Sequence, residues 1–237
     1  SIELVAYYPE QADLYEHAEG ACKAWCAEHL ADDAVVLDCG AHIGQYAIVC
    51  ARAARRGHVY AFEPTATPSM LRANVAHHGL SNVTVVKRAL GAEAGLRSER
   101  VFRVWRQGAE ELELDFTTVD VFVRERGLER VDLIKIDVDS FDFEVMRGAK
   151  ETLERLDPWV LVELNAALGE RQTSTAAVLA WLARRGYRRA RVLDQFNFLL
   201  KRAWPGATER ASGEPPTGSG EPSITLSFGP GGGGEGG

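Results

Sequence analysis

A β-branched run, Ala34-Val35-Val36-Leu37-Asp38, leads straight into Cys39-Gly40-Ala41-His42-Ile43-Gly44. Glu63 follows Gly44 by 19 residues, at the end of the next apolar run, His58-Val59-Tyr60-Ala61-Phe62. Two glycines at a strand end permit a tight turn and close backbone approach to a ligand before a helix begins. An acid at the end of the following strand can accept both hydroxyl hydrogens of a ribose. Loop and acid together read as a nucleoside-binding site. A dinucleotide site usually carries G-x-G-x-x-G, which lets a pyrophosphate rest on the helix N-terminus. Here the spacing is Gly40-x-x-x-Gly44, with His42 between the glycines. Asp38 would repel phosphates and attract the amino-acid part of S-adenosylmethionine, so a cationic, phosphate-free cofactor is expected. The plain alternative is that the two glycines only shape a strand-to-helix turn.

The elements that must position these groups follow from periodicity. An amphipathic helix is expected over 12–30, then a strand over 34–38, a helix over 45–56 and a strand over 58–62. A helix over 68–79, with Pro68 near its start and Gly79 at its end, precedes a strand over 83–86. The stretch 91–116 resists placement: Val101 to Trp105 alternates, while Glu110 to Asp115 is too acidic to assign. Thr117-Thr118-Val119-Asp120 can cap a short helix ending near Gly127. Strands over 131–138 and 159–164 flank a helix over 143–156, and a helix over 173–185 precedes two strands, 188–193 and 196–201, set to form a hairpin. This order gives an α/β fold: a mostly parallel, seven-stranded sheet with an antiparallel edge strand and helices on both faces. Three regions are expected: a helical cover segment (1–30), the catalytic domain (31–204) and a Gly/Pro/Ser-rich, disordered tail (205–237). Within the tail only the island Ile224-Thr225-Leu226-Ser227-Phe228 has a strand's character.

The chain has 237 residues, 46% hydrophobic and 26% charged, with a mean hydropathy of -0.17, as a soluble globular protein has. Its net charge of -7 speaks against a nucleic-acid partner held through phosphates. No apolar run reaches the ~18 residues of a membrane span, and Ser1-Ile2-Glu3-Leu4 lacks the features of a signal peptide. A cytoplasmic location without membrane association is expected. Cys39 and Cys50 lie in apolar stretches, and Cys22 and Cys26 share a helical face with no further pair to complete a zinc site, so all four read as reduced and structural.

The sequence resembles the FkbM-type family of class I S-adenosylmethionine-dependent methyltransferases. The resemblance rests on Val36-Leu37-Asp38-Cys39-Gly40-Ala41-His42-Ile43-Gly44-Gln45-Tyr46, Phe62-Glu63-Pro64 and Ala89-Leu90-Gly91. It continues through Val131-Asp132-Leu133-Ile134-Lys135-Ile136-Asp137-Val138-Asp139, Glu144-Val145-Met146-Arg147-Gly148-Ala149 and Val160-Leu161-Val162-Glu163, in family order. His42 stands where Asn is usual, and Asp139-Ser140-Phe141-Asp142 replaces the common Glu-Gly-x-Glu. The resemblance implies a Rossmann-like fold and methyl transfer from S-adenosylmethionine, most often to a hydroxyl of a sugar or secondary metabolite. Asp38, Gly40 and Gly44 would then line the methionine end, Glu63 the ribose and Ala89-Leu90 the adenine edge, with Ala41, His42, Tyr46, Pro64 and Asp137 also among the cofactor-binding residues. Asp137 would lie near the sulfonium.

Methyl transfer depends largely on positioning an acceptor oxygen, helped by a base or by a metal that acidifies the hydroxyl. Asp137, Asp139 and His42 are the candidate catalytic groups. Asp137, Glu163 and Asn165, at neighbouring strand ends, are candidate oxygen ligands for Mg. Against the metal stands a simpler reading, that the acids after Asp137 cap the following helix. Lys135 reads as the partner of an acid, and Tyr7, Tyr8 and Tyr15 as a cover over the acceptor or as core. The expected partner is a hydroxylated small molecule, with a homo-oligomer also open through an edge strand. The alternatives are N-methylation of a small molecule, a nicotinamide-dependent oxidoreductase, for which the glycine pattern is wrong, and a non-catalytic S-adenosylmethionine-binding scaffold.

Overall fold

A computed structural model describes residues 2–102, 109–203 and 223–225. The principal sheet is built from β1 (Val35–Cys39), β2 (His58–Phe62), β3 (Val83–Val86), β7 (Leu133–Ile136), β8 (Trp159–Glu163), β9 (Arg189–Val192), β10 (Asn197–Lys201) and β11 (Ser223–Thr225). Their order is β11-β9-β10-β8-β7-β1-β2-β3. β3, β2, β1, β7 and β8 run parallel, β10 returns antiparallel against β8, and β9 closes a hairpin with β10. The expected seven strands and antiparallel strand are therefore present. β11 adds an eighth, antiparallel to β9 and overlapping at Ile224-Thr225 the island singled out from the sequence, whose residues 226–228 lie outside the described residues. The rest of the expected disordered tail lies outside the described residues.

Side chains alternate across a strand, so each strand feeds two cores. β1 sends Val36 to one face and Leu37 to the other. On Val36's side pack α2 (Gly20–His29), α3 (Gln45–Ala53) and α4 (Pro68–His77), through Trp25, Cys50 and Leu71. On Leu37's side pack α5 (Val119–Glu125), α6 (Asp142–Arg147), α7 (Lys150–Leu156) and α8 (Thr175–Ala183), through Phe122, Met146, Leu153 and Leu182. The four cysteines are free and buried, as the structural reading requires. Among the described residues, no helix is long and apolar enough to cross a membrane.

Three expectations change. The single helix over 12–30 is two, α1 (Ala12–His17) and α2, because Glu19 adopts left-handed backbone at φ 55 and breaks the ladder. The helix over 143–156 divides into α6 and α7 around Gly148, where a β-carbon would strike the Gly91 carbonyl at 2.1 Å. The unplaced stretch holds a second sheet of β4 (Ala89–Leu90), β5 (Gly95–Phe102) and β6 (Ala109–Thr117), in the order β4-β6-β5. β5 and β6 pair antiparallel from Gly95↔Phe116 to Phe102↔Ala109, while residues 103–105 of the alternating run lie outside the described residues. The acids of β6 alternate with Leu112, Leu114 and Phe116, which pack inward. The strand was hidden because its polar face is unusually acidic.

Capping fixes the helix starts below the sheet's carboxyl edge. Thr118 Oγ1 accepts the Val121 N–H at 3.0 Å and opens α5 as expected. Asp120 reaches across to α7 and accepts the N–H groups of Glu151 and Thr152 and the hydroxyl of buried Thr152. Asp120→Ala leaves those three donors unpaired. The expected outcome is a loss of about 1–3 kcal/mol in a urea unfolding titration with an unchanged slope.

Candidate functional site

The parallel strands β1, β2, β7 and β8 end at one edge, and the groups singled out from the sequence gather there. The N–H groups of Gly40 and Ala41 both donate to the Phe62 carbonyl, at 3.1 and 2.9 Å, tying the loop after β1 to the end of β2. Gly40 has φ +86, and a β-carbon there would lie 1.8 Å from the Asp137 carbonyl oxygen. Gly44, at φ +99, would meet Leu71 at 2.5 Å. Both glycines are thus required by backbone sign and by space. His42 adopts φ 50, a region in which His, Asn and Asp are the commonest non-glycine residues. Its N–H donates to Glu63 Oε2 at 3.0 Å, and the Thr65 N–H and hydroxyl donate to Glu63 Oε1. Glu63 is buried and aimed by these bonds, and a carboxylate so held keeps further acceptor sites.

A cavity of about 220 Å³ opens beside Glu63. Gly40, His42, Glu63, Pro64, Ala89, Leu90, Asp137 and Asp139 all line it, so the ribose side, the adenine edge and two of the candidate acids share one space. Its apolar walls are Phe62, Leu114, Phe116 and Phe141, the last two with ring centroids 5.8 Å apart. β4 presents Ala89-Leu90 only because β6 pairs with it, through Ala89↔Phe116 and Leu90↔Thr117. Arg97 lies 3.7 Å over the Phe116 ring and Arg171 lies 3.4 Å over Phe141. Both guanidinium groups pair with Glu99 at 3.1 Å, clasping the hairpin to the turn Ala166–Arg171. Thr65, Phe116 and Phe141 were not anticipated; the first is visible only as a hydroxyl two residues after the ribose acid.

On the other side of the loop the site is electrostatic. Lys135, buried on β7, places its ammonium 2.9 Å from Asp137 Oδ2, 3.5 Å from the Gly40 carbonyl and 3.9 Å from Asp38 Oδ1. The expected pairing of Lys135 with an acid is met. Burial alone would lower its pKa, but Asp137 and Asp38 overrule that and hold the ammonium above its usual range. Tyr46 lies beneath it, with the ammonium 4.7 Å over the ring, and together with buried Ala41 supports the loop instead of lining the cavity. Burial pushes Asp38 up to about 6 against the pull of Lys135. Burial, then the Asp137 charge, pushes Asp139 up to about 7 and Glu163 up to about 8.

The expected Mg set is corrected. Among the described residues, no group of three or more His, Cys, Asp or Glu is placed to hold a metal ion. Asp137 already carries the Lys135 ammonium. Asn165 donates to Glu163 Oε2 at 2.8 Å and uses its carbonyl oxygen to cap the Ala167 N–H, so its oxygen is spent locally. This donor set does not fit Mg. The capping alternative is not met either: α6 has no side-chain cap, and Asp142, its buried first residue, instead accepts the Val138 N–H at 3.0 Å and braces the turn before the helix. Asp139 stands in left-handed backbone at φ 51 and caps nothing.

S-adenosylmethionine, by contrast, fits these residues. Asp38 has no exposed surface and, among the described residues, neither of its oxygens accepts a hydrogen bond, an arrangement suited to the donor's cationic amino-acid end. Glu63 and the Ala89-Leu90 wall offer the matching ribose and purine sides.

Strand order, glycine loop and the acid closing β2 together define the Rossmann-like fold of class I S-adenosylmethionine-dependent methyltransferases. Residues 38–189 match the Methyltransferase FkbM domain, and the chain belongs to that family of methyltransferases. It is 25% identical to Methyltransferase 1 of Beauveria bassiana, a match covering 60% of this chain and 69% of the relative. It is 28% identical to the AMB antimetabolite synthetase AmbE of Pseudomonas aeruginosa, over 66% of this chain and only 10% of that much longer protein. The solved structure of Methyltransferase FkbM from Methylobacillus flagellatus superposes with a TM-score of 0.51 at 16% identity, covering 73% of this chain and 44% of that one.

The raised carboxyls set a sign for pH. Asp38, Asp139 and Glu163 hold protons in the folded state that the unfolded chain has already released, so stability falls as pH rises through their folded values. The thermal midpoint of the ligand-free protein is expected to drop by about 3 °C or more from pH ~5 to pH ~8.5. Glu163→Gln should flatten that profile, as read by differential scanning calorimetry.

Proposed function

We propose that the chain methylates a hydroxyl of a small sugar-like or secondary-metabolite acceptor, with S-adenosylmethionine as donor. The observation that carries this reading is Asp139. It lines the same cavity as Glu63 and Gly40, and its carboxyl is pushed up to about 7. A carboxylate in that range is suited to take a hydroxyl proton near neutral pH. Bound at this edge, the cofactor supplies a methyl group on an activated sulfonium. Asp139 would accept the acceptor's proton, Asp137 would stay paired with Lys135, and Phe141 and Phe116 would exclude water from the reacting side.

The excess of acids at this edge supports an uncharged acceptor over a polyanion, and the net charge of -7 supports a small molecule over nucleic acid. The synthetase among the relatives acts, by its name, in making an antimetabolite, which is in keeping with a secondary-metabolite acceptor. The N-terminal segment, with Tyr8 and Tyr15 against His42 at ring-centroid distances of 6.0 and 5.8 Å, would cover that acceptor. His42 is then a wall of the site, leaving Asp139 as the base.

Two measurements test this. Isothermal titration with S-adenosylhomocysteine should give micromolar binding that weakens tenfold or more in Glu63→Ala, about the value of a charge-assisted pair of hydrogen bonds. No binding by the wild type would sink the reading. In assays against hydroxylated acceptors, Asp139→Asn should lower kcat about 100-fold while leaving S-adenosylhomocysteine affinity within about threefold. A methyl found on nitrogen in the product would overturn the choice of hydroxyl.

A further inference from the structure

Glu63 and Thr65 line the same cavity, and the hydrogen bonds between them limit what the carboxylate can still accept. Two carboxylate oxygens offer about four lone-pair positions, shared equally. Oε1 takes the Thr65 N–H at 3.0 Å and the Thr65 hydroxyl at 2.5 Å. Oε2 takes the His42 N–H at 3.0 Å. Among the described residues no further donor reaches either oxygen, so Oε1 is full and one position stays open, on Oε2. A ribose presents two neighbouring hydroxyls, and a carboxylate facing them holds both only if it has two positions to give.

Of the donors in place, the two N–H groups are fixed by the backbone. The Thr65 hydroxyl is free to rotate, and a second oxygen lies within its reach. Thr67 Oγ1 stands 3.3 Å from Thr65 Oγ1. Thr67 is fully buried and its hydroxyl caps no N–H of α4. With the Thr65 proton on Glu63, Thr67 donates to Thr65 and every hydroxyl proton of the chain is used. Reversed, Thr65 donates to Thr67 and Oε1 is released. The reversal strands the buried Thr67 proton without an acceptor among the described residues, and a stranded buried donor is costly.

We infer that Thr65 gates the ribose side of the cavity. One ribose hydroxyl binds at the open position on Oε2, while the other binds only by turning the Thr65 hydroxyl off Oε1, so the two are read with unequal strength. The inference rests on the S-adenosylmethionine reading above. The first hydroxyl gains a full charge-assisted bond; the second replaces one bond to the carboxylate with another and keeps only the difference. Thr65 acts through Glu63 and is a positioning residue.

The test is isothermal titration of wild type, Thr65→Val and Thr65→Ser with S-adenosylhomocysteine and with its 2′-deoxy and 3′-deoxy forms. In wild type, loss of one hydroxyl is expected to weaken binding about tenfold or more, and loss of the other about twofold or less. Thr65→Val keeps the N–H donor but opens Oε1, so the two losses should converge to within about twofold of each other. Thr65→Ser restores the hydroxyl and with it the inequality. A residue that only props the loop would weaken all three ligands by one factor and leave their ratios unmoved. Equal losses in wild type, or an inequality that survives unchanged in Thr65→Val, overturn the inference and leave the donor reading intact. Failure of wild type to bind S-adenosylhomocysteine overturns both. Should Thr65→Val fold poorly, Thr67→Val decides. Thr65 then has no second oxygen to turn to, and the inequality should persist or widen; convergence of the two losses in that variant overturns the inference.

Discussion

Lys135 occupies the middle of a parallel sheet, where burial by itself would favour the neutral amine. It stays charged because Asp137, just past the end of its own strand, and Asp38, on the adjacent β1, lie at 2.9 and 3.9 Å. The same ammonium lies 3.5 Å from the Gly40 carbonyl, on the loop that must approach a ligand. One cation thus holds together the ends of β1 and β7 and the turn between β1 and α3. Gly40 completes the arrangement, since any side chain there would collide with the Asp137 carbonyl. Without the ammonium, buried Asp38 and half-buried Asp137 would repel each other at the edge where the strands must stay in register.

The pattern of what the sequence discloses follows from range. Gly40, Gly44 and Glu63 were legible because a turn and the strand beside it are short-range features with a fixed stereochemical demand. The parallel strands were legible as continuous β-branched runs, as strands buried on both faces must be. The β5–β6 hairpin was not, because Glu110, Glu111, Glu113 and Asp115 mask an alternation whose buried half is only Leu112, Leu114 and Phe116. Glu19 was invisible for a different reason. Its partner Asn197 is 178 residues away, and the only local trace is Gly20 interrupting a helical pattern. The Mg set misled because three oxygen-bearing residues at neighbouring strand ends look alike in sequence, whether they face a metal or one another.

The two halves of the site have opposite physical character, and this assigns them different work. The half walled by Phe116, Phe141 and Leu90 is apolar, with its cations Arg97 and Arg171 turned to aromatic faces and to Glu99. Such a surface binds by area and stacking and is insensitive to charge. The half around Lys135 is a low-dielectric cluster in which each added or removed charge shifts its neighbours. The hairpin side is therefore indifferent to changes of charge, and the carboxylate side responds to each of them.

His42 links these halves to the N-terminal segment. A side chain at φ 50 is tolerated there because the residue's N–H is anchored on Glu63 and its ring is stacked on Tyr8, 20° from parallel. An asparagine could adopt the same backbone but would give Tyr8 and Tyr15 no aromatic partner. The N-terminal segment is further tied by Asn74, which accepts from the Val5 and Ala6 N–H groups while donating to the Ile43 carbonyl of the loop. The loop that would hold the donor and the segment that would cover the acceptor are therefore one hydrogen-bonded and stacked unit. Tyr8 and Tyr15 are thereby built into the same unit as the glycine loop, although neither lies in the segment that defines the family.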